Sequence, residues 1–247
     1  MFTLDREPPV FAIFRFWNDP IRRSIAKFLM QPILKLKRAP LLWGALLCGL
    51  YALLTIIVNA RVLAGVDHEI TTRLQQIVPR AADLPSSILS LLGSAEVTVL
   101  IFAALVLLAR PQVRVRLVAL FALVTLLELQ GKTMIDQPEP PRELLRYVFA
   151  FGTPTGKLNT LFSYPSGHAA RTSFLVALAI TLIAQSRARP LTKRVTIALL
   201  IVAEAAMLIS RVYIGDHWTS DVIGGTLLGV GLALFSVERQ TTPAPKH

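Results

Sequence analysis

Apolar residues collect in six long runs, 41–60, 86–109, 113–131, 172–186, 195–209 and 219–235, set apart by polar breaks. A helix needs roughly 20 apolar residues to cross the hydrocarbon layer of a bilayer. The pattern therefore predicts an all-α fold, a polytopic membrane protein whose residues 41–236 form one domain of six transmembrane helices. Runs four and five reach spanning length by extending one turn into their polar flanks. Ahead of them lies a basic segment, 1–40. In it Ile21, Ile25, Phe28 and Leu29 share a helical face bordered by Arg22, Arg23 and Lys27, the pattern of a helix lying among headgroups. After them comes a polar tail, 237–247, whose end TTPAPKH is expected to be disordered. Between runs one and two, Asp67 is placed to cap a short surface helix with Ile70, Leu74 and Ile77 on one face. The longest connection, 132–167, is rich in proline. Its segment Leu144, Leu145, Tyr147, Val148, Phe149 and Phe151 is apolar enough to dip into lipid.

Composition agrees with the pattern: 53% of residues are hydrophobic and only 17% charged, with a mean hydropathy of +0.57. The formal net charge of +11 changes the picture more. In a soluble protein it would suggest nucleic acid. Here the basic residues gather before run one, between runs two and three (Arg110, Arg114, Arg116), between runs four and five (Arg187, Arg189, Lys193, Arg194) and in the tail (Arg239, Lys246). By the positive-inside rule these regions are cytoplasmic. Both termini are then expected in the cytoplasm of a multi-pass protein of the cell membrane. The excess charge is assigned to topology and anionic lipid, with no nucleic-acid partner. The single cysteine, Cys48, excludes an intrachain disulfide and a cysteine metal site. The opening MFTLDREPPV does not read as a cleavable signal, so run one is expected to direct insertion.

With that topology, the ends of runs three and five and the starts of runs four and six share the outer face. Polar clusters sit at all four places: Lys132, Pro165-Ser166-Gly167-His168, Ser210-Arg211 and His217 to Asp221. An outer-face active site follows. His217 and Asp221, at i and i+4, share a helical face. A carboxylate there can fix the imidazole tautomer and leave the other ring nitrogen free to attack. A structural hydrogen bond or a pair of metal ligands is equally compatible with that spacing. Arg211, at the end of an apolar run, either snorkels to the headgroups or binds phosphate with its planar fork. Ser166 and Gly167 open a helix whose free amides suit an anion, and His168 beside them could protonate a leaving oxygen.

The sequence PSGH at 165–168, followed by S-R-x5-H-x3-D at 210–221, resembles the type-2 phosphatidic acid phosphatase superfamily over roughly residues 41–236. The resemblance implies six spans and a phosphatase that needs neither metal nor cofactor and works through a phosphohistidine. It makes His217 the nucleophile, Asp221 its orienting partner and His168 the general acid. Ser166, Gly167, Arg211 and Lys132 would hold phosphate oxygens. The family's first motif ends in Arg-Pro, where this chain has Glu139-Pro140, and Arg142 is the loop cation nearest in sequence to replace the missing arginine. Implied substrates are lipid phosphate monoesters or polyprenyl pyrophosphates. Two other readings stay open: transfer of the phosphate to another acceptor, and lipid-phosphate binding without catalysis.

Three further expectations concern charges inside the runs. Glu128, four residues before Lys132, is placed to pair with it. Glu204, two turns before Arg211, is placed to support that guanidinium. Arg171, one turn after His168, reads either as a phosphate contact or, slightly preferred, as an interfacial residue. Gly224, Gly225, Gly229 and Gly231 read as close helix packing, and His68 as a solvated side chain.

Overall fold

The computed structural model describes residues 20–146 and 162–236, with side chains from residue 39 onward. The expectations for the Ile21–Leu29 face, for the end of the apolar segment from Tyr147 to Phe151 and for the TTPAPKH tail lie outside these described parts. The chain divides into two compact units, Met1–Pro40 and Leu41–His247. The described part of the first is helical.

Every described element is helical. α1 is Pro20–Asn59, α2 Ala64–Ile77, α3 Asp83–Leu91, α4 Ala95–Leu108, α5 Pro111–Met134, α6 Gly167–Gln185, α7 Pro190–Tyr213 and α8 Thr219–Leu234, with short 3-10 turns at Arg80–Ala82 and Arg142–Leu144. Local chemistry sets the starts. α5 and α7 each open on a proline, which needs no amide partner there. α4 and α6 are capped by Ser94 and Ser166, whose hydroxyls accept the amides of Val97 and Ala169, each at 3.4 Å.

All six apolar runs are helical, with one correction. Run 86–109 is not a single helix but α3 and α4, bent by 48° at the break. The reason lies in Leu92-Gly93-Ser94: Ser94 caps a new helix, and a Cβ at Gly93 would stand 2.6 Å from the His168 ring. By length and apolarity, three segments are long enough to cross a membrane: Ala39–Asn59 of α1, all of α6 and all of α7. The bent pair Arg80–Leu91 plus Ala95–Leu108 makes a fourth if it counts as one span. The other two candidates are α5, whose 24 residues include Arg114, Arg116, Glu128 and Lys132, and α8, with 16. Large apolar side chains such as Ile56, Leu100, Leu108, Val115 and Val202 point outward, each more than half exposed, the surface a lipid solvent requires.

α6 is the central helix, packed against α4, α5, α7 and above all α8. Phe102, Phe121 and Phe174 stack in its core, with ring centroids 4.1 to 6.3 Å apart. In lipid, helices are held by close packing rather than by water exclusion, and α8 supplies this with glycines. A Cβ at Gly225 would lie 2.4 Å from the Ser166 carbonyl oxygen, and one at Gly229 would lie 2.2 Å from that of Ala170. The two backbones touch along this seam.

α2 forms the expected short helix, but Asp67 does not cap it. Leu63 is at that position, and Asp67, 2% exposed, turns inward. It accepts the Ser220 amide at 2.9 Å and the Ser220 hydroxyl at 2.6 Å, which places a carboxylate on the N-terminal turn of α8. His68 is exposed, 6.3 Å from the Trp218 ring centroid. Gly229→Ala is expected to cost about 1–3 kcal/mol of stability by overpacking, read as a fall in Tm of the purified protein in detergent. Gly49→Ala, where nothing lies within 4 Å of the added methyl, should leave Tm unchanged.

Candidate functional site

The segment before α6 arrives through Ser163 and Tyr164, and the Tyr164–Pro165 peptide is cis. Tyr164 is fully buried, meets the Thr55 hydroxyl at 3.1 Å and stacks on Tyr51. Burial raises its pKa well above that of an ordinary phenol. A Cβ at Gly224 would strike its ring, so α8 seats this tyrosine. The Ser166 amide donates to the Asp221 carbonyl at 3.0 Å, tying the start of α6 to the first turn of α8. The amides of Gly167 and His168 follow at the open end of the helix, where partial positive charge collects. Gly167 has no room for a side chain because the Glu128 carboxylate lies against it. The His168 imidazole fills the space left by Gly93 at the α3–α4 break.

The end of α7 and the start of α8 bring the other half. Arg211 is fully buried, donates to the Ser90 hydroxyl and forms an ion pair with Asp216. Its own carbonyl accepts the amides of Asp216 and His217, at 3.2 and 3.3 Å, so the chain folds back over the arginine. Gly215 makes this turn with φ +72°, and a Cβ there would collide with the Leu144 carbonyl oxygen at 2.1 Å. Neighbouring bonds hold the turn: Gln75 donates to the carbonyls of Leu144 and Tyr213, and the Tyr213 hydroxyl donates to Asp83 at 2.6 Å. Asp221, at the third position of α8, has no exposed surface. Its Oδ2 accepts the Trp218 amide at 3.0 Å and faces His217 Nδ1 at 3.4 Å. With Nδ1 turned to a carboxylate, Nε2 is the remaining ring nitrogen, 3.9 Å from Asp216 Oδ2.

Cations complete the cluster. Lys132 Nζ lies 3.6 Å from Glu128, and Arg171 makes an ion pair with the other oxygen of the same carboxylate. His168 lies within electrostatic range of Arg211, Arg171, His217 and Lys132. The fold thus brings together Lys132, Ser166, Gly167, His168, Arg211, His217 and Asp221 from four separate stretches of chain, with Glu128 among them. Such a set can hold an anion between lysine, guanidinium and helix amides, present one imidazole nitrogen to it and offer a second imidazole as proton donor. Among the described residues, no three His, Cys, Asp or Glu side chains are placed to hold a metal ion together.

Three expectations change. Arg171 does not reach for the interface: Glu128 draws it inward, because a buried carboxylate beside two cations is better satisfied than one beside a single lysine. Glu204 is engaged elsewhere. It accepts the Thr172 and Ser173 hydroxyls at 3.0 and 2.7 Å and so ties α7 to α6 below the site, rather than supporting Arg211. Arg142 is exposed on its 3-10 turn, and no hydrogen bond or ion pair joins it to the described residues of the cluster. The loop cation that does turn inward is Arg146, which donates to the Tyr213 hydroxyl at 3.1 Å and the Gln75 carbonyl at 2.9 Å. Glu139, at the place of the missing arginine, is exposed. Sequence reasoning missed Asp216, Ser90 and Gly93. Asp216 stood in view beside His217, and an acidic residue next to a buried arginine was the signal. Ser90 and Gly93 carried none, since both lie within an apolar run.

Known proteins share this architecture. A solved transmembrane PAP2-type phosphatidylglycerolphosphate phosphatase from Bacillus subtilis superposes with a TM-score of 0.61, covering 78% of this chain and 93% of that one at 21% identity. The structure of Aquifex aeolicus LpxE does so with a TM-score of 0.51, over 68% and 92% of the two chains, also at 21% identity. At that identity the likeness is one of fold. A curated undecaprenyl-diphosphatase of Sulfolobus acidocaldarius is 38% identical over 110 residues. That match spans 40% of this chain and 48% of the relative, about half its length. The sequence profile of the PAP2 superfamily matches residues 87–243, which take in the end of α3, all of α4 to α8 and every residue of the cluster. The chain belongs to the PAP2 superfamily.

Proposed function

We propose that this protein is a membrane phosphatase that hydrolyses lipid phosphate monoesters or lipid pyrophosphates through a phosphohistidine, with no metal taking part. The observation that carries the reading is the His217–Asp221 pair. One ring nitrogen faces a buried carboxylate, and the other lies 3.9 Å from Asp216 Oδ2, the oxygen that pairs with Arg211. His217 Nε2 attacks phosphorus in line, and the bond from phosphorus to the leaving oxygen breaks as His168 protonates that oxygen. Asp221 holds the proton on Nδ1 and stabilises the imidazolium that forms. Water, deprotonated by His168, then attacks the phosphohistidine, frees His217 and releases inorganic phosphate. Lys132, Arg211, the Ser166 hydroxyl and the amides of Gly167 and His168 stabilise the equatorial oxygens, the main source of rate in phosphoryl transfer. Glu128 positions Lys132 and Arg171 in this scheme.

Two of the proteins compared act, by name, on an undecaprenyl diphosphate and on phosphatidylglycerolphosphate. They support a lipid carrying a terminal phosphate as the substrate class. The same reading takes the six apolar helices as six spans, with both termini cytoplasmic and the site on the outer face. The basic residues between α4 and α5 and between α6 and α7 support this.

Purified protein in detergent with excess chelator is expected to release phosphate from phosphatidic acid or a polyprenyl pyrophosphate. His217→Ala should remove that release entirely, and equal activity in the variant would end the nucleophile assignment. Arg211→Ala should lower kcat/KM by about a hundred- to a thousandfold, as loss of one oxyanion donor does; a loss under tenfold would place phosphate binding elsewhere. For topology, single cysteines at Glu139 and Arg187 in a Cys48→Ala background should differ in intact cells. Only the first should react with a membrane-impermeant thiol reagent, and the reverse pattern would invert the protein.

A further inference from the structure

Asp216 is the residue the mechanism leaves unused, and its position is informative. It is 6% exposed, at the centre of the cluster. One oxygen, Oδ2, both pairs with Arg211 Nη2 and lies 3.9 Å from His217 Nε2. A phosphorus poised for attack stands about 3–3.5 Å from the nucleophile, and its equatorial oxygens stand slightly further out. An equatorial oxygen held by Arg211 would therefore occupy nearly the same point as Asp216 Oδ2. The two cannot be there together.

We propose that Asp216 is an exchangeable internal ligand of Arg211, a carboxylate that fills a phosphoryl-oxygen position when the site is empty and is displaced when phosphate enters. This inference rests on the phosphate site described above. A buried guanidinium without an anion is costly, so Arg211 needs a partner in both states. Gly215 makes the turn immediately before the carboxylate with φ +72°, and the Asp216 amide is held by the Arg211 carbonyl, so the displacement is a movement of the side chain. Competition from within the chain weakens every phosphate ligand alike. A lipid anchored in the bilayer beside the site has binding energy to offset that, whereas free inorganic phosphate does not. The carboxylate therefore returns to Arg211 once the phosphohistidine has been cleaved, and it drives the product out.

The test is titration of the purified full chain with inorganic phosphate by calorimetry, comparing wild type with Asp216→Asn and Asp216→Ser, each checked for monodispersity. The expected result is binding tighter by about tenfold or more in the variants, the direction a merely structural partner of Arg211 would not produce. Product inhibition by phosphate should strengthen in parallel. Unchanged or weaker phosphate binding in a monodisperse variant overturns the inference. So does aggregation of both variants, which would make Asp216 a permanent counter-ion of Arg211. Because the titration needs no turnover, it separates from the hydrolase reading: a chain that cleaves no lipid yet gains phosphate affinity as Asn keeps this inference and loses that one.

Discussion

A guanidinium with no exposed surface sits at the end of a mostly apolar helix, and the architecture around it is arranged to make that tolerable. Arg211 would be expensive at this depth without an anion and a polar neighbour. Asp216 and Ser90 supply them from two directions. Asp216 reaches the arginine only because the chain turns back at Gly215. Ser90 reaches it only because α3 leaves the line of α4. Break the continuity of either helix pair differently, and the charge has no partner. The kink and the turn, which look like interruptions of a bundle, are what allow a strong cation inside it.

The second organising constraint is closeness. α6 starts with Ser166, Gly167 and His168, and His217 stands in the turn just ahead of α8, off the helix, with Asp221 on its first turn. These ends meet because the glycines of α8 let the backbones touch. A hydrogen bond from the Ser166 amide to the Asp221 carbonyl fastens the two ends where the chemistry is needed. From outside the bundle, Asp67 on α2 adds a negative charge to the same helix start. Glu128 does the corresponding work on the other side, drawing Lys132 and Arg171 toward Gly167.

Much of this was legible in the chain. The apolar runs gave every long helix, because a lipid-facing helix must be apolar along its whole length and so writes its position plainly. PSGH and the S-R-x5-H-x3-D pattern identified the residues that meet. What could not be read was the matching of charges. Sequence spacing pairs Glu204 with Arg211 along one helix, yet hydroxyls on a different helix take that carboxylate. Arg171 and Asp216 find partners across tertiary contacts that no periodicity records. The α3–α4 break was hidden for a related reason: Gly93 and Ser94 inside an apolar stretch resemble ordinary small residues until the imidazole that needs the gap is in place.

One atom links fold and chemistry more tightly than the rest. Asp221 Oδ2 accepts the amide of Trp218 at the N-terminal end of α8, and the same oxygen faces the imidazole of His217. The first turn of α8 therefore cannot fray while the His217 imidazole stays aligned. With His217 in its proposed role, heat that loosens only this turn would silence the protein with its bundle still intact, so inactivation and global melting become separate events on the temperature axis, the first below the second.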